Sequence, residues 1–238
     1  MRDGAAIYGS RAEKIWACQK KENGTYRISA YKGEETEVVV PAKIGSISVT
    51  EIGKAWNGNH RDGCITNVRK IVLPEGFETI GYAAFQDNEM LEEIVMPETI
   101  THICDDAFKN CTKLKEVHVP PSVKKIGYRA FQDCRALAKV CLPEGVEEIG
   151  ERTFKYCKNL REIKLPNTLN VIGSEAFGEC SSLEKIVIPE GVKYICAGIW
   201  PVFNFCPKLT IYCRAKEKPA GWAQHIGGKN IVWGYKGD

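Results

Sequence analysis

A period of 23 residues governs the middle of this sequence. Six prolines mark it, namely Pro74, Pro97, Pro120, Pro143, Pro166 and Pro189. Other positions keep the same spacing, so that Val146, Ile149, Phe154, Cys157 and Leu160 after Pro143 correspond to Leu169, Ile172, Phe177, Cys180 and Leu183 after Pro166. Agreement over so many positions indicates a repeat protein, in which each unit packs against its sequence neighbours.

Each repeat has a sequence pattern that predicts its local structure. Leu160, Ile163 and Leu165 precede a proline, which predicts a short strand ended by a residue that cannot donate to a β-ladder. Residues 150–157 end in a Thr-Phe pair (Ala-Phe in the other repeats) and a Cys, which predicts one or two helical turns that press the Phe inward. We therefore predict an α/β repeat solenoid in which each 23-residue unit contains a strand, a second short extended piece and a short helix.

A family resemblance follows from the consensus Pro-x-x-Val-x-x-Ile-Gly-x-x-Ala-Phe-x-x-Cys-x-x-Leu-x-x-Ile-x-Ile. This pattern resembles the BspA-type leucine-rich repeat of bacterial surface proteins, and the resemblance covers residues 41–213. It implies a leucine-rich-repeat solenoid with strands stacked on one face, and a role in adhesion to host or bacterial proteins. Asn88 replaces the Cys in one repeat, which fits because leucine-rich repeats commonly use Asn or Cys there to satisfy backbone groups.

The two ends of the chain depart from the repeat. We expect a single domain of residues 1–238, with an N-terminal cap at 1–40, repeats at 41–213 and a C-terminal cap at 214–238. Asn23-Gly24 between two apolar segments predicts a β-hairpin in the first cap. The C-terminal aromatic residues predict a second cap, with an exposed aromatic binding patch as the alternative. Residues 57–63 lie in an insertion and predict a surface loop rather than a calcium site.

Eleven cysteines raise the question of disulfides or metal binding. No Cys-x-x-Cys pair occurs, and Cys111, Cys134, Cys157 and Cys180 follow the 23-residue period. In-register stacking holds parallel side chains about 4.8 Å apart, whereas disulfides need Cβ atoms about 3.5 to 4.5 Å apart. We therefore predict a buried and reduced cysteine column. The pairing of Cys18, Cys64 and Cys213 stays open.

Several classes of function find no support in the sequence. The formal charge is only +3, which argues against nucleic acid as a partner. No apolar run approaches the roughly 20 residues of a membrane helix, and residues 1–10 lack the apolar centre of a secretory signal. The four histidines, His60, His102, His118 and His225, occupy different phases of the repeat, so we expect neither a metal site nor a Cys–His dyad. No phosphate-binding glycine loop occurs, so we expect no cofactor and no enzyme activity.

The strand face is the predicted binding surface. Because side chains alternate along a strand, residues between the inward apolar positions point outward. The candidate partner-binding residues in the central repeats are Glu116, His118, Lys139, Cys141, Glu162 and Lys164. A solvated, salt-bridged sheet without a binding role is the alternative for this face.

Taken together, these features predict a monomeric, non-catalytic protein-binding module of a bacterial surface or secreted protein, whose protein partner is not identified. One alternative is a cytoplasmic scaffold or regulatory segment of a larger protein, which the missing signal and the many cysteines favour. Another is a carbohydrate-binding module, which would need exposed aromatic residues such as Trp222 and Trp233.

Overall fold

The computed structural model describes residues 15–54, 64–196, 198–228 and 230–237. Within these ranges the chain forms a β-solenoid of about nine stacked repeats of about 23 residues. The predicted loop at residues 57–63, which includes His60, lies outside the described residues. The strands are β1 (Trp16–Lys20), β2 (Tyr26–Tyr31), β3 (Glu37–Val39), β4 (Lys43–Ile44), β5 (Ile47–Ile52), β6 (Lys70–Val72), β7 (Thr79–Ile80), β8 (Glu93–Val95), β9 (His102–Ile103), β10 (Glu116–His118), β11 (Lys125–Ile126), β12 (Lys139–Cys141), β13 (Glu148–Ile149), β14 (Glu162–Ile163), β15 (Val171–Ile172), β16 (Lys185–Ile188), β17 (Tyr194–Ile195), β18 (Thr210–Cys213) and β19 (Asn230–Trp233).

The strands that precede the prolines form what we call the front sheet. Its strands run parallel in three hydrogen-bonded segments, β3-β6-β8, β10-β12 and β14-β16-β18-β19. The last two segments are joined by an isolated bridge between Cys141 and Lys164. Pairing is in register, so residues one repeat apart face each other, as Val117 and Val140 do. The sequence period therefore becomes a set of straight columns of side chains.

The second extended pieces form a longer sheet on another side of the solenoid, which we call the second sheet. Its order is β1-β2-β5-β7-β9-β11-β13-β15-β17, with β4 beside β5. The predicted N-terminal hairpin is present, because β1 and β2 pair antiparallel on either side of Asn23-Gly24. β2 then pairs parallel with β5, and Trp16 and Ile28 are buried. The hairpin thus continues the second sheet at its N-terminal end.

The predicted short helix is wrong, and the described repeats contain no helix. Arg129 and Asp133 have φ angles of 53° and 60°, which interrupt the right-handed backbone that a helix requires. The amide of Asp133 donates to the carbonyl of Lys155 in the next repeat at 2.8 Å, whereas that of Cys134 donates to Phe131 at 3.2 Å. The segment is a run of tight turns, because amides that bond to the next repeat alternate with amides that bond three residues back in the same segment. Within the described ranges, no helix has the length and apolar character that crossing a membrane requires.

A continuous column of aromatic rings fills the core. Adjacent rings stack nearly parallel with centroids 5.0 to 5.6 Å apart. All of these side chains are at most 1% exposed. The rings belong to Phe85, Phe108, Phe131, Phe154, Phe177 and Phe203. Stacking across repeats is therefore the central packing interaction of the solenoid.

The cysteine column lies beside the rings, and its predicted burial is confirmed. The Cys134 thiol donates to the carbonyl of Phe108 in the preceding repeat at 3.2 Å, and its equivalents in other repeats do the same. Asn88 fills this position through its amide, which donates to the Val68 carbonyl at 2.9 Å. Cys64 and Cys213, whose pairing the sequence left open, are free thiols. The column has a hydrogen-bonding role in each turn and needs no disulfide.

The C-terminal aromatic residues divide into a packed group and an exposed group. Trp222 and Phe203 are buried, and the Trp222 indole donates to the Val192 carbonyl at 2.9 Å. Trp200 and Phe205 are 48% and 62% exposed. The sequence placed all of these aromatics together, but only tertiary packing separates those that cover the core from those that face solvent.

Candidate functional site

The front sheet brings the six predicted binding residues into two adjacent columns. Strand alternation places residues i and i+2 on one face, and register aligns them across β10, β12 and β14. One column contains Glu116, Lys139 and Glu162, and the other contains His118, Cys141 and Lys164. We call these six residues the central strip.

The central strip faces solvent, while the residues between its members are buried. The side chains of His118 and Lys139 are 69% and 64% exposed. Glu162 and Lys164 are also exposed, and Cys141 is half-buried. Val117, Val140 and Ile163 point into the core and are at most 5% exposed. The predicted inward and outward alternation is confirmed, and the buried residues fix the strands that carry the strip.

Ion pairs connect neighbouring strands within the strip. The Lys139 ammonium lies 2.6 Å from the Glu116 carboxylate, and His118 Nε2 lies 3.3 Å from the same oxygen. The hydrogen bond from Lys139 lowers the pKa of Glu116, and the same contact raises the pKa of Lys139. Exposed ion pairs add little to stability. These ion pairs therefore do little to hold the strands together.

A Cys–His pair, which the sequence analysis did not expect, lies within the central strip. One ligand atom each from Glu116, His118 and Cys141 falls within 4.8 Å of the others. The histidines occupy different phases of the repeat, but Cys141 follows His118 by one repeat of 23 residues. Parallel in-register pairing therefore makes them direct neighbours. The signal was present in the sequence as two different side chains in one column.

A groove of about 440 Å³ borders the strip where hydrogen bonding between β8 and β10 is interrupted. Charged Arg69, Glu92 and Lys115 line it together with Val95 and Met96. His118 and Glu116 form part of its wall. The 23-residue period continues unbroken through both strands, so the sequence carries no signal of this interruption.

The C-terminal end carries a second groove, of about 550 Å³, beside the exposed Phe205. The rings of Trp200 and Phe205 lie 6.3 Å apart. Trp222 is buried and Trp233 is half-buried, so the two tryptophans named as markers of a carbohydrate-binding surface do not form an exposed pair.

A family model described as BspA type Leucine rich repeat region matches residues 78–210 in six copies, which is more than half of the chain. The chain belongs to this BspA-type leucine-rich-repeat family. The resemblance read from the consensus is thereby confirmed. Solenoids of this BspA-type family are typically non-enzymatic.

Several solved structures are similar to this BspA-type chain. A leucine-rich repeat protein from T. pallidum is 26% identical, with a TM-score of 0.46, over 84% of this chain and 69% of that one. A leucine-rich repeat protein from Bacteroides ovatus is 20% identical, with a TM-score of 0.47, over 84% and 70%. A leucine rich cell surface protein from Faecalibacterium prausnitzii is 19% identical, with a TM-score of 0.34, over 93% and 94%. No curated protein matches the chain.

Proposed function

We propose that this chain is a non-catalytic, adhesion-type protein-binding module whose central strip contacts a protein partner. The observation that carries the proposal is the arrangement of six outward side chains of both signs on three in-register strands. Membership of the BspA-type family supports an interaction role.

Rigid strands carry the residues of the central strip. The strip residues are held by strands whose alternate side chains, such as Val117 and Val140, are buried in the core. A partner that contacts several strands at once therefore orders little additional chain on binding. Interface energy concentrates in a few central residues, and the strip lies on the middle repeats.

The test is a triple substitution of Glu116→Ala, His118→Ala and Lys164→Ala, with a partner recovered by using the chain as bait. We expect affinity to fall at least about 30-fold, because these side chains would supply central contacts. The unfolding midpoint should not change, since all three side chains face solvent. Surface plasmon resonance and thermal unfolding measure the two effects.

A matched control lies in one column of the second sheet. His102, Lys125 and Glu148 occupy equivalent positions on β9, β11 and β13, and the Lys125 side chain is 60% exposed. The triple substitution of these residues to Ala should retain the affinity of the unsubstituted chain. If the control loses binding while the front-sheet variant keeps it, the binding face is the second sheet and the assignment is overturned.

We further propose that the chain acts at the cell surface or in secreted form, as its family resemblance implies. The many cysteines favour the alternative of a reducing, cytoplasmic compartment. Surface biotinylation of intact cells of the source organism distinguishes the two, since only an extracellular chain would be labelled before lysis.

A further inference from the structure

We propose that Glu116, His118 and Cys141 form a surface binding site for a single divalent transition metal ion, with Zn²⁺ as the expected ion. The three ligand atoms already lie within 4.8 Å of one another. This proposal goes beyond the protein-binding role and does not depend on it, because the metal is bound by the chain alone.

The backbone explains why these three side chains converge. Glu116 and His118 are two residues apart on β10 and therefore project from the same face. Cys141 is the direct parallel partner of His118 on β12. Buried Val117 and Val140 fix both strands from below. Only side-chain rotation is needed to bring the donors to one ion.

The donor set suits zinc. Zn²⁺ accepts thiolate sulfur, imidazole nitrogen and carboxylate oxygen, usually in a tetrahedral arrangement. Three protein ligands leave the fourth position open, as in zinc sites that bind a water or an exchangeable group. His118 is 69% exposed, so an ion could reach this position directly from solvent. The buried cysteine column offers no such access, because those thiols are wholly covered by the core.

Lys139 opposes the metal. Its ammonium lies 2.6 Å from Glu116 Oε1, where it competes with a cation for the carboxylate. Glu162 follows Lys139 in the same column, one repeat later. Removal of Lys139 should therefore tighten metal binding, a result opposite in direction to the loss of a ligand.

The experiment is competition of the full chain with a chromophoric chelator for Zn²⁺ under reducing conditions. We expect one zinc per chain, and Cys141→Ser or His118→Ala should each weaken binding at least about tenfold. Lys139→Ala should strengthen it. Bound Co²⁺ should show a thiolate-to-metal charge-transfer band that Cys141→Ser removes and Lys139→Ala retains.

Matched controls are Cys196→Ser and His102→Ala, since both residues are exposed and lie outside the cluster. Both controls should bind zinc as the unsubstituted chain does. Equal affinity in the unsubstituted chain, Cys141→Ser and His118→Ala would overturn the proposal, as would loss of binding in the controls alone. Cobalt binding without a thiolate band would exclude Cys141 as a ligand and overturn it as well. Circular dichroism of every variant verifies that the solenoid is intact.

Discussion

Replacement of Phe131 by Leu tests whether ring stacking holds the solenoid together. Phe131 is 0% exposed, and its ring lies 5.0 Å from that of Phe108 and 5.5 Å from that of Phe154. Leu keeps a large apolar side chain in the core but removes both stacking contacts. Each contact contributes about 0.5 to 1.5 kcal/mol beyond burial, and the lost apolar atoms add about 1 kcal/mol. We expect a loss of about 2 to 4 kcal/mol in the free energy of unfolding.

Phe203→Leu provides the matched comparison. Phe203 is 1% exposed and, among the described residues, stacks on one ring only, that of Phe177 at 5.6 Å. The substitution should therefore cost less than Phe131→Leu by one stacking contact, about 0.5 to 1.5 kcal/mol. Phe205→Leu is the surface control, because this side chain is 62% exposed, and its effect should stay within about 0.5 kcal/mol.

Urea unfolding followed by circular dichroism measures all three free energies. A double variant at Phe131 and Phe154 should also show a coupling energy of about 0.5 to 1.5 kcal/mol. Equal destabilisation by Phe131→Leu and Phe203→Leu, or the absence of coupling between Phe131 and Phe154, would contradict a contribution from ring stacking. Burial alone would then account for the aromatic column.

Two further predictions concern ionisable side chains. In the native chain a thiol reagent should label the exposed Cys196 and not Cys206, because burial raises the pKa of the Cys206 thiol to about 12. Mass spectrometry of the labelled peptides measures both reactions, and equally fast labelling of Cys206 would contradict the prediction. Glu175→Gln should lower the free energy of unfolding at neutral pH by about 1 to 3 kcal/mol, because the 1% exposed carboxylate accepts hydrogen bonds from Arg152 and Lys155. Burial favours a higher pKa for Glu175, but those hydrogen bonds outweigh it and lower the pKa. The higher free energy of unfolding relative to the Gln variant is therefore fully present above the ordinary glutamate pKa. It is lost as the pH falls through the lowered pKa of the folded protein. Urea unfolding at several pH values measures this, and a pH-independent difference between the two proteins would contradict it.

The columns of this protein could be read from the sequence alone. Stacked repeats present the same environment at the same position, so Phe131 and Phe154 or Cys134 and Cys157 must recur at the repeat interval. The alternation of inward and outward residues on the strands also follows from local pattern, since one face of each strand is covered by the core. These patterns predicted the solenoid, its buried cysteines and the position of the central strip.

Tertiary contacts decided the rest. Residues 150–157 have the spacing of a short helix, but every second amide from Arg152 to Tyr156 bonds to the next repeat. These bonds between repeats accompany φ angles of 56° at Arg152 and 64° at Tyr156, which a helix does not allow. The interruption between β8 and β10 leaves the repeat pattern unchanged, and only packing distinguishes exposed Trp200 from buried Trp222. The cluster of Glu116, His118 and Cys141 was only partly predictable from the sequence. The period aligns His118 with Cys141, but strand pairing determines which side chains lie close together. A sequence records which residues recur, whereas hydrogen bonding between repeats determines which backbone and side-chain partners they find.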